Sequence, residues 1–183
     1  MNPNSGEVLP SRLEARQKKV KSLLVKADSH YRKGHRLRAI WNYRRVLSLE
    51  PDHVVALVNL ALIYSTVKGK HDSALQMLQR ASEIQPDNPA VLLNLATLTA
   101  QKGELGEALN LLERAEQQNP RLPDLHYNKA HLYAIQKKWD EAMAEVAIEL
   151  HHHPSSYNAL LMKEAIEQHR KNTASAEVDS QPD

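Results

Sequence analysis

The chain has 183 residues, of which 42% are apolar and 25% are charged, so it can bury the core of one ordinary domain. It contains no cysteine, which excludes a disulfide framework, a catalytic thiolate and a thiolate zinc site. Aromatic residues make up only 4% and phenylalanine is absent, so alanine and leucine must fill the core, which favours helices over a β-sandwich or barrel.

Charge is distributed unevenly along the chain, although the formal net charge is only +2. Residues 1–50 contain 12 Lys and Arg against 4 Asp and Glu, whereas residues 51–183 contain 12 against 18. One end of the chain is therefore basic and the other acidic. Self-association, with the basic end of one copy stacked on the acidic end of another, is one possibility.

The first 22 residues, MNPNSGEVLPSRLEARQKKVKS, lack the apolar core of a secretory signal. No apolar run in the chain approaches the roughly 18 residues of a membrane-spanning helix. We therefore expect a cytoplasmic protein without a transmembrane segment. Residues 1–10 are expected to form a flexible N-terminus. Residues 11–19 contain no helix breaker, so we expect them to extend the first helix or to add a turn.

The rest of the chain repeats itself every 34 or 35 residues. Each of four segments ends at a proline, has an alanine 12 positions earlier, and has a glycine or, once, a lysine five positions before that alanine. The prolines are Pro51, Pro86, Pro120 and Pro154, the alanines are Ala39, Ala74, Ala108 and Ala142, and the turn residues are Gly34, Gly69, Gly103 and Lys137. Apolar residues recur at helical spacing on both sides of each turn residue. Because glycine interrupts a helix and proline ends one, each segment is predicted to be a helical hairpin.

This pattern resembles the tetratricopeptide repeat family, whose unit of about 34 residues has a small residue in its first helix, an alanine early in its second and a proline at its end. The resemblance covers residues 20–154. It implies an all-α fold, a right-handed α-α superhelix (tetratricopeptide solenoid) of about four helical hairpins plus a C-terminal capping helix.

We expect the domain to span residues 11–171. Its repeats are expected at residues 20–53, 54–88, 89–122 and 123–156, and its capping helix at residues 156–171 because a lone hairpin leaves an apolar face uncovered. The inner side of that helix is predicted to carry Leu160, Leu161, Ala165 and Ile166. Residues 172–183 are expected to form a disordered acidic tail.

Three consecutive histidines, His151, His152 and His153, raise the question of a metal site. They fall in the last turn of a predicted helix, where successive side chains project about 100° apart and cannot converge on one ion. Glu149 and His153 have the i, i+4 spacing of a chelating pair, but no further ligand cluster completes the coordination. The pattern is typical of a helix C-terminus, where imidazolium interacts favourably with the helix dipole, and we expect no metal.

No motif of an enzyme accompanies the repeats. The sequence has neither a glycine-rich phosphate loop nor HExxH, and carboxylate pairs such as Asp140 with Glu141 are typical of solvated helix faces. We therefore expect the chain not to be an enzyme and to bind no cofactor.

The resemblance also implies a concave groove, lined by the first helices of the hairpins, in which relatives hold a peptide or helix of another protein. The family's groove positions fall here on Leu24, Tyr31, Val55, Val58, Leu62, Thr66, Leu93, Thr97, Tyr127, His131 and Ile135. The resemblance therefore implies that the chain is a protein–protein interaction scaffold or chaperone-like adaptor that binds a partner segment in an apolar groove.

The prediction depends on an apolar patch of Val58, Leu62, Leu93 and Tyr127, because a large exposed patch marks a binding site. The competing interpretation is that the N-terminal segment covers these residues or that they belong to the core. Some relatives instead hold acidic tails in a clamp of lysine, asparagine and arginine. Asn59, Asn94 and Asn128 match one clamp position, but Leu24, Ala90 and Asp124 stand where lysines are required, so we expect no clamp.

A second surface competes with the groove. Arg38, Trp41 and Arg45 fall at i, i+3 and i+7 on the outward side of a predicted helix, with Arg44 beside them. Basic residues around an exposed tryptophan suit phosphate, an acidic protein surface or a lipid headgroup. The alternative function is binding of a nucleic acid or an anionic surface through this basic face, unless Trp41 packs under the N-terminal segment.

Overall fold

A computed structural model describes the backbone of residues 11–179 and the side chains of residues 11–173. Within this range the chain forms nine α-helices and no strand. The helices are α1 (Arg12–Arg32), α2 (Arg36–Leu49), α3 (Val54–Ser65), α4 (His71–Ile84), α5 (Pro89–Gln101), α6 (Leu105–Gln118), α7 (Leu125–Ile135), α8 (Trp139–His152) and α9 (Tyr157–Asp179). No helix in the described part is long and apolar enough to cross a membrane.

Two compact units divide the helices between them. The first unit ends at Gln85 and contains α1 to α4, and the second begins at Pro86 and contains α5 to α9. Within each unit, successive helices pair as antiparallel hairpins, α1 with α2 and α3 with α4 in the first, α5 with α6 and α7 with α8 in the second. The expected flexible N-terminus, residues 1–10, lies outside the described residues.

The first helix begins at Arg12 because Ser11 and Glu14 form a capping box. The Ser11 hydroxyl accepts a hydrogen bond from the Glu14 backbone nitrogen at 3.2 Å, and the Ser11 nitrogen donates to the Glu14 carboxylate at 2.7 Å. This pair satisfies two helix-terminal N–H groups. Residues 12–19 belong to the first helix, which is the first of the two arrangements expected for this segment.

The turns inside the hairpins require a left-handed backbone. Gly34, Gly69 and Gly103 have φ angles of 74°, 77° and 87°, which glycine adopts without steric cost. In the fourth hairpin the same place holds Lys137 with φ 60°. A lysine in this conformation costs about 1–2 kcal/mol relative to a right-handed one. The fourth turn therefore carries strain that the other three avoid.

Alanines occupy matching buried positions in the paired helices. The four alanines that the repeat predicts in the second helices, and their counterparts in the first helices, are all buried, with at most 1% of their surface exposed. They are Ala39, Ala74, Ala108, Ala142, Ala27, Ala61, Ala96 and Ala130. A small side chain at each of these buried places allows two helix backbones to approach.

Replacing Ala108 with leucine should lower the free energy of unfolding by about 1–3 kcal/mol, because three added carbons overpack a contact inside a fully buried cluster. Denaturant unfolding followed by circular dichroism measures the change. Ala144→Leu is the matched control, since Ala144 is exposed on α8 of the same unit. An unchanged denaturation midpoint for Ala108→Leu would mean that the register of the repeat is wrong.

The last helix, α9, covers the end of the second unit. It packs against α8 and α7 and buries Ala159 and Ile166, with Met162 half-buried against the same cluster as Val146. Of the four residues predicted for the inner side of this helix, only Ile166 is buried. The predicted inner residues Leu160, Leu161 and Ala165 are exposed, since the packed face follows an i, i+3, i+7 line that begins at Ala159.

The expected disordered tail also differs from the structure. α9 continues to Asp179, so residues 172–179 are helical, and residues 180–183 lie outside the described range. Helix continues here because no proline or glycine follows Ser156 before residue 180, so nothing in the chain stops it.

Candidate functional site

A groove in the second unit lies between α5 and α7 and has a volume of about 160 Å³. Its lining comes from four residues of α5, one of α6 and four of α7, and we call it the α5–α7 groove. The lining residues are Ala96, Thr97, Ala100, Gln101, Leu112, Asn128, His131, Leu132 and Ile135. Alanines at two of the α5 positions leave room that larger side chains would fill.

Three predicted groove residues, Thr97, His131 and Ile135, therefore line one cavity. Ile135 is half exposed at the groove edge. The other two predicted residues of this unit have different surroundings. Leu93 is half-buried and packs against the core of the unit, and Tyr127 is half-buried with its ring stacked on His131 at 6.4 Å between centroids.

Hydrogen bonds fix the polar side chains of the groove in place. The Thr97 hydroxyl lies 3.0 Å from the Leu93 carbonyl oxygen and 3.3 Å from the Asn128 amide oxygen. The Asn128 amide nitrogen donates to the Asp124 carbonyl at 2.7 Å and carries a second hydrogen that this bond does not use. The groove thus combines an apolar base with positioned polar groups at its edge, as ligand-binding clefts commonly do.

In the first unit the predicted groove residues are exposed to different degrees. Tyr31, Val55 and Thr66 are exposed, whereas Leu24 and Leu62 are half-buried. The prediction that Val58 is exposed is wrong, since only 7% of its surface is accessible. The reason is that α3 is apolar around nearly its whole circumference, and a helix of that kind is enclosed on several sides.

The asparagines at the clamp position have structural partners. Asn59 donates to the Tyr43 hydroxyl at 3.2 Å, and Tyr43 donates to the Asp28 carboxylate at 2.5 Å, which links α1, α2 and α3. Burial, reinforced by the hydrogen bond to Asp28, raises the pKa of Tyr43. Asn94 and Asn128 each donate to the carbonyl oxygen four residues earlier. These bonds account for the asparagines without any clamp.

Sequence reasoning missed a buried group of charges between α6, α7 and α8. We call it the α7–α8 charge cluster, and it consists of Glu116, His126, Lys129 and Glu145. The Lys129 ammonium lies 2.7 Å from Glu145 and 3.0 Å from Glu116, and the His126 Nδ1 atom lies 2.7 Å from Glu145. Lys129 occupies a position that is leucine in the two preceding repeats, and that break in the apolar pattern was the available signal.

The charges of this cluster perturb one another. The hydrogen bond to Glu145 raises the pKa of His126 against the opposing effect of burial. Burial acts to raise the pKa of Glu145, but its bonds to His126 and Lys129 outweigh burial and lower that pKa. Burial likewise acts to lower the pKa of Lys129, and its carboxylate partners raise it instead. Since each charge faces an opposite one, the cluster holds helices together rather than offering a free acid or base.

Glu149 and His153, which have the i, i+4 spacing of a chelating pair, contact different partners. Glu149 is buried and its carboxylate accepts hydrogen bonds from the backbone of α7, whereas the His153 Nε2 atom lies 3.0 Å from the Arg121 carbonyl oxygen. Among the residues with described side chains, no group of three acidic, histidine or cysteine side chains is placed to hold a metal ion.

The predicted basic face lies on α2 in the first unit. Arg38, Trp41 and Arg44 are exposed, Trp41 to 58%, and the guanidinium of Arg45 lies 4.4 Å from the centroid of the Trp41 ring. Such a cation–π contact holds the indole against the helix surface. The exposed Leu37 precedes Trp41 by one turn, so an apolar strip runs beside the arginines.

Two family models, both described as tetratricopeptide repeat, match residues 52–119 and residues 99–164, which together make up more than half of the chain. The chain belongs to the tetratricopeptide repeat family. The predicted all-α fold of the tetratricopeptide type is confirmed by these matches and by similar solved structures. No curated protein sequence matches the chain.

Solved tetratricopeptide proteins share this fold. MamA is 17% identical with a TM-score of 0.60, and the match covers 91% of this chain and 98% of MamA. TTC0263, a thermophilic protein of Thermus thermophilus, is 20% identical with a TM-score of 0.72 over 85% of each chain. YrrB, described as having an unusual peptide-binding site, is 20% identical with a TM-score of 0.57 over 87% of this chain and 85% of YrrB. The tetratricopeptide fold is that of protein–protein interaction scaffolds in general.

Proposed function

We propose that this chain is a non-enzymatic, chaperone-like adaptor that binds a segment of another protein in the α5–α7 groove. The proposal rests on one observation: a single groove of about 160 Å³ has an apolar base and positioned polar groups at its edge. An apolar cavity of about 150 Å³ admits benzene, so the groove has room for one side chain of leucine or phenylalanine size.

The partner is a segment that inserts one apolar side chain between Ala100 and Ile135 while its backbone bonds to the polar edge. The unused amide hydrogen of Asn128 can be donated to a peptide carbonyl, and Gln101 and His131 offer further polar atoms. A peptide-binding site described for the similar protein YrrB agrees with this use of the fold.

Filling or charging the groove should abolish this binding. Peptides selected from a displayed random library on the full chain should bind Ala100→Leu and Ile135→Asp at least about tenfold more weakly, since a lost apolar anchor costs about 1–3 kcal/mol. Isothermal titration with one selected peptide measures the affinities. The substitution Ala100→Leu removes volume from the groove, and Ile135→Asp places a charge at its edge.

Ile148→Asp is the matched control, because Ile148 is 39% exposed on α8 outside the groove and Ile135 is 50% exposed at its edge. Circular dichroism must show native helicity for every variant. Equal weakening by Ile148→Asp, or undiminished binding to both groove variants, would contradict the proposal.

A second candidate function is binding of an anionic partner through the basic face of α2. The observation that favours it is the exposed indole of Trp41 with the guanidinium of Arg45 stacked on it. Added salt separates the two functions. Binding to phosphates weakens steeply because added salt reduces the free energy gained from counterion release, whereas an apolar groove responds little.

A further inference from the structure

A larger groove lies in the first unit, between α2 and α4. It has a volume of about 800 Å³. Part of its base is apolar and is formed by Met77 of α4, which is half-buried, together with the small exposed parts of Leu57 and Tyr64 of α3. Such a base suits apolar side chains that enter from outside, and it is separate from the α5–α7 groove of the proposed function.

The rim of this groove carries cations that lack carboxylate partners. Arg44 and Lys70 are exposed, and within the described residues neither forms a salt bridge. The Lys70 ammonium lies 5.9 Å from the centroid of the Tyr64 ring, so it is held over the groove. Arg80, the third cation of the rim, bonds to Asp52 at 2.6 Å. Two positive charges are therefore left for a ligand.

Arg44, which lines this groove, lies on the same side of α2 as the exposed Trp41 and Leu37. Trp41 lies one turn before Arg44, and Leu37 one turn before Trp41, with 58% and 82% of their surfaces exposed. No acidic residue occurs in α2. The ligand that matches this surface has carboxylates for Arg44 and Lys70 and apolar side chains for the base and the strip.

One rim residue favours a protein over a nucleic acid as that ligand. Glu83 also lines the groove and forms no salt bridge within the described residues, so its carboxylate would repel the evenly spaced phosphates of a nucleic-acid backbone. A polypeptide avoids this conflict because it can place its acidic residues beside the cations alone. Acidic side chains with apolar anchors at helical spacing fit both the charge and the shape of the groove.

We propose that the surface formed by Leu37, Trp41, Arg44 and Lys70 over the apolar base of Leu57 and Met77 binds an acidic amphipathic segment of a partner protein. The apolar anchors of the segment lie on the base, its carboxylates face Arg44 and Lys70, and Trp41 packs against its side. The first unit then offers a binding surface in addition to the groove of the second unit.

The test uses the full chain and a fluorescein-labelled synthetic helix of about 15 residues, with leucine at i, i+4, i+7 and i+11 and glutamate at the flanking positions. Fluorescence anisotropy measures its binding at about 50 mM and about 200 mM salt. We expect affinity to fall with salt, and Arg44→Glu with Lys70→Glu to weaken it at least about tenfold. Trp41→Ala should weaken it at both salt concentrations.

Arg121→Glu is the matched control for Arg44→Glu made alone, because Arg121 is an exposed arginine of the second unit and each single substitution changes the net charge by two units. A peptide with lysine in place of glutamate should bind the reversed variant more tightly than the native chain. This gain of binding cannot come from a misfolded variant. Ala100→Leu should not change the affinity for the glutamate peptide, so the test is independent of the α5–α7 groove.

Three results would overturn the proposal. The first is absence of binding, or equal weakening by Arg121→Glu, which would leave no specific site. The second is tighter binding of a single-stranded DNA oligonucleotide that is lost in the same variants, which would identify a nucleic-acid surface. The third is an affinity for the glutamate peptide that does not change with salt, since the two rim cations would then have no role.

Discussion

Replacing Glu149 with alanine should lower the free energy of unfolding by about 2–4 kcal/mol, because each buried backbone N–H group that loses its acceptor costs about 1–3 kcal/mol. Only 1% of the surface of Glu149 is exposed. Its carboxylate oxygens accept hydrogen bonds from the backbone nitrogens of Asp124 at 3.0 Å, His126 at 3.1 Å and Tyr127 at 3.4 Å. These are N–H groups at the start of α7, which have no partner inside their own helix.

The start of α7 needs this help because its own N-cap does not supply it. Asp124 has a left-handed φ of 64° and its side chain makes no capping bond. At the start of α5, by contrast, the Asn88 side chain accepts from Ala90 and Val91. Glu149 therefore serves as the N-cap of a neighbouring helix, and its carboxylate lies at the positive end of the α7 dipole.

Denaturant unfolding of three variants tests the prediction. Glu149→Gln retains one acceptor oxygen and should lose less stability than Glu149→Ala. Glu141→Ala, at an exposed position in the first turn of α8, should change stability by less than about 0.5 kcal/mol. A loss below about 1 kcal/mol for Glu149→Ala would show that water replaces the carboxylate at these N–H groups.

Glu145→Ala should lower the free energy of unfolding by about 3 kcal/mol, at the lower end of the cost for a broken buried ion pair. Glu145 is the acceptor shared by Lys129 and His126, so its removal leaves both of them with Glu116 alone, which lies 3.0 Å from the Lys129 ammonium and 4.0 Å from the His126 ring. Restoring the apolar residue of the other repeats, in the double variant Glu145→Ala with Lys129→Leu, should recover part of the loss. A double variant less stable than Glu145→Ala would contradict this account.

The dependence of stability on pH gives a second readout of the same cluster. The pKa of His126 lies above its ordinary value of 6.5 in the folded chain, so folding binds a proton in the interval between the two values. The stability contributed by charged His126 is fully present below pH 6.5 and is lost as pH rises through the folded pKa. Glu145→Ala and His126→Gln should both flatten this decline.

The neighbouring His152 does not obscure that interval. The ring of His152 lies 6.0 Å from that of His126, and burial first, then the nearby charges of His151 and Arg121, lower the pKa of His152. A group with a lowered pKa loses its stabilising contribution as pH falls, here below the ordinary value of 6.5. A decline above pH 6.5 that persists in His126→Gln would show that another group causes it.

The helical hairpins could be predicted because their signals are local. Gly34 and its counterparts mark turns, the prolines mark ends, and the alanines mark close contacts, and each of these properties follows from the residue itself. Lys137 could be placed in the fourth turn only by alignment with the glycines, since a lysine by itself does not indicate a left-handed backbone.

The partners of charged residues could not be predicted in the same way. From the sequence alone, Glu149 is an ordinary residue near a helix end, or one residue of a chelating pair with His153. Its partners are backbone nitrogens more than twenty residues earlier, and their need for a cap depends on the φ angle of Asp124. The exposed fraction of Val58 was likewise beyond prediction, because the surroundings of an apolar helix such as α3 depend on which elements enclose it.

The α5–α7 groove was predicted in part. Thr97, His131 and Ile135 could be placed on it through the family resemblance, and they do line it. Its volume depends on Ala96 and Ala100, whose small size permits a cavity only because α7 lies opposite them. Repeat periodicity indicates which side of a helix a residue occupies, but the space beside it depends on tertiary packing.

The two tryptophans of the chain lie in different units, Trp41 in the first and Trp139 in the second. Trp41 is largely exposed, whereas Trp139 is half-buried with its ring 4.3 Å from that of His169 on α9. The emission of Trp41 should resemble that of solvated indole, and that of Trp139 should lie at shorter wavelength. With one indole replaced by phenylalanine at a time, intrinsic fluorescence follows the melting of each unit separately, so their cooperativity can be measured without an added label.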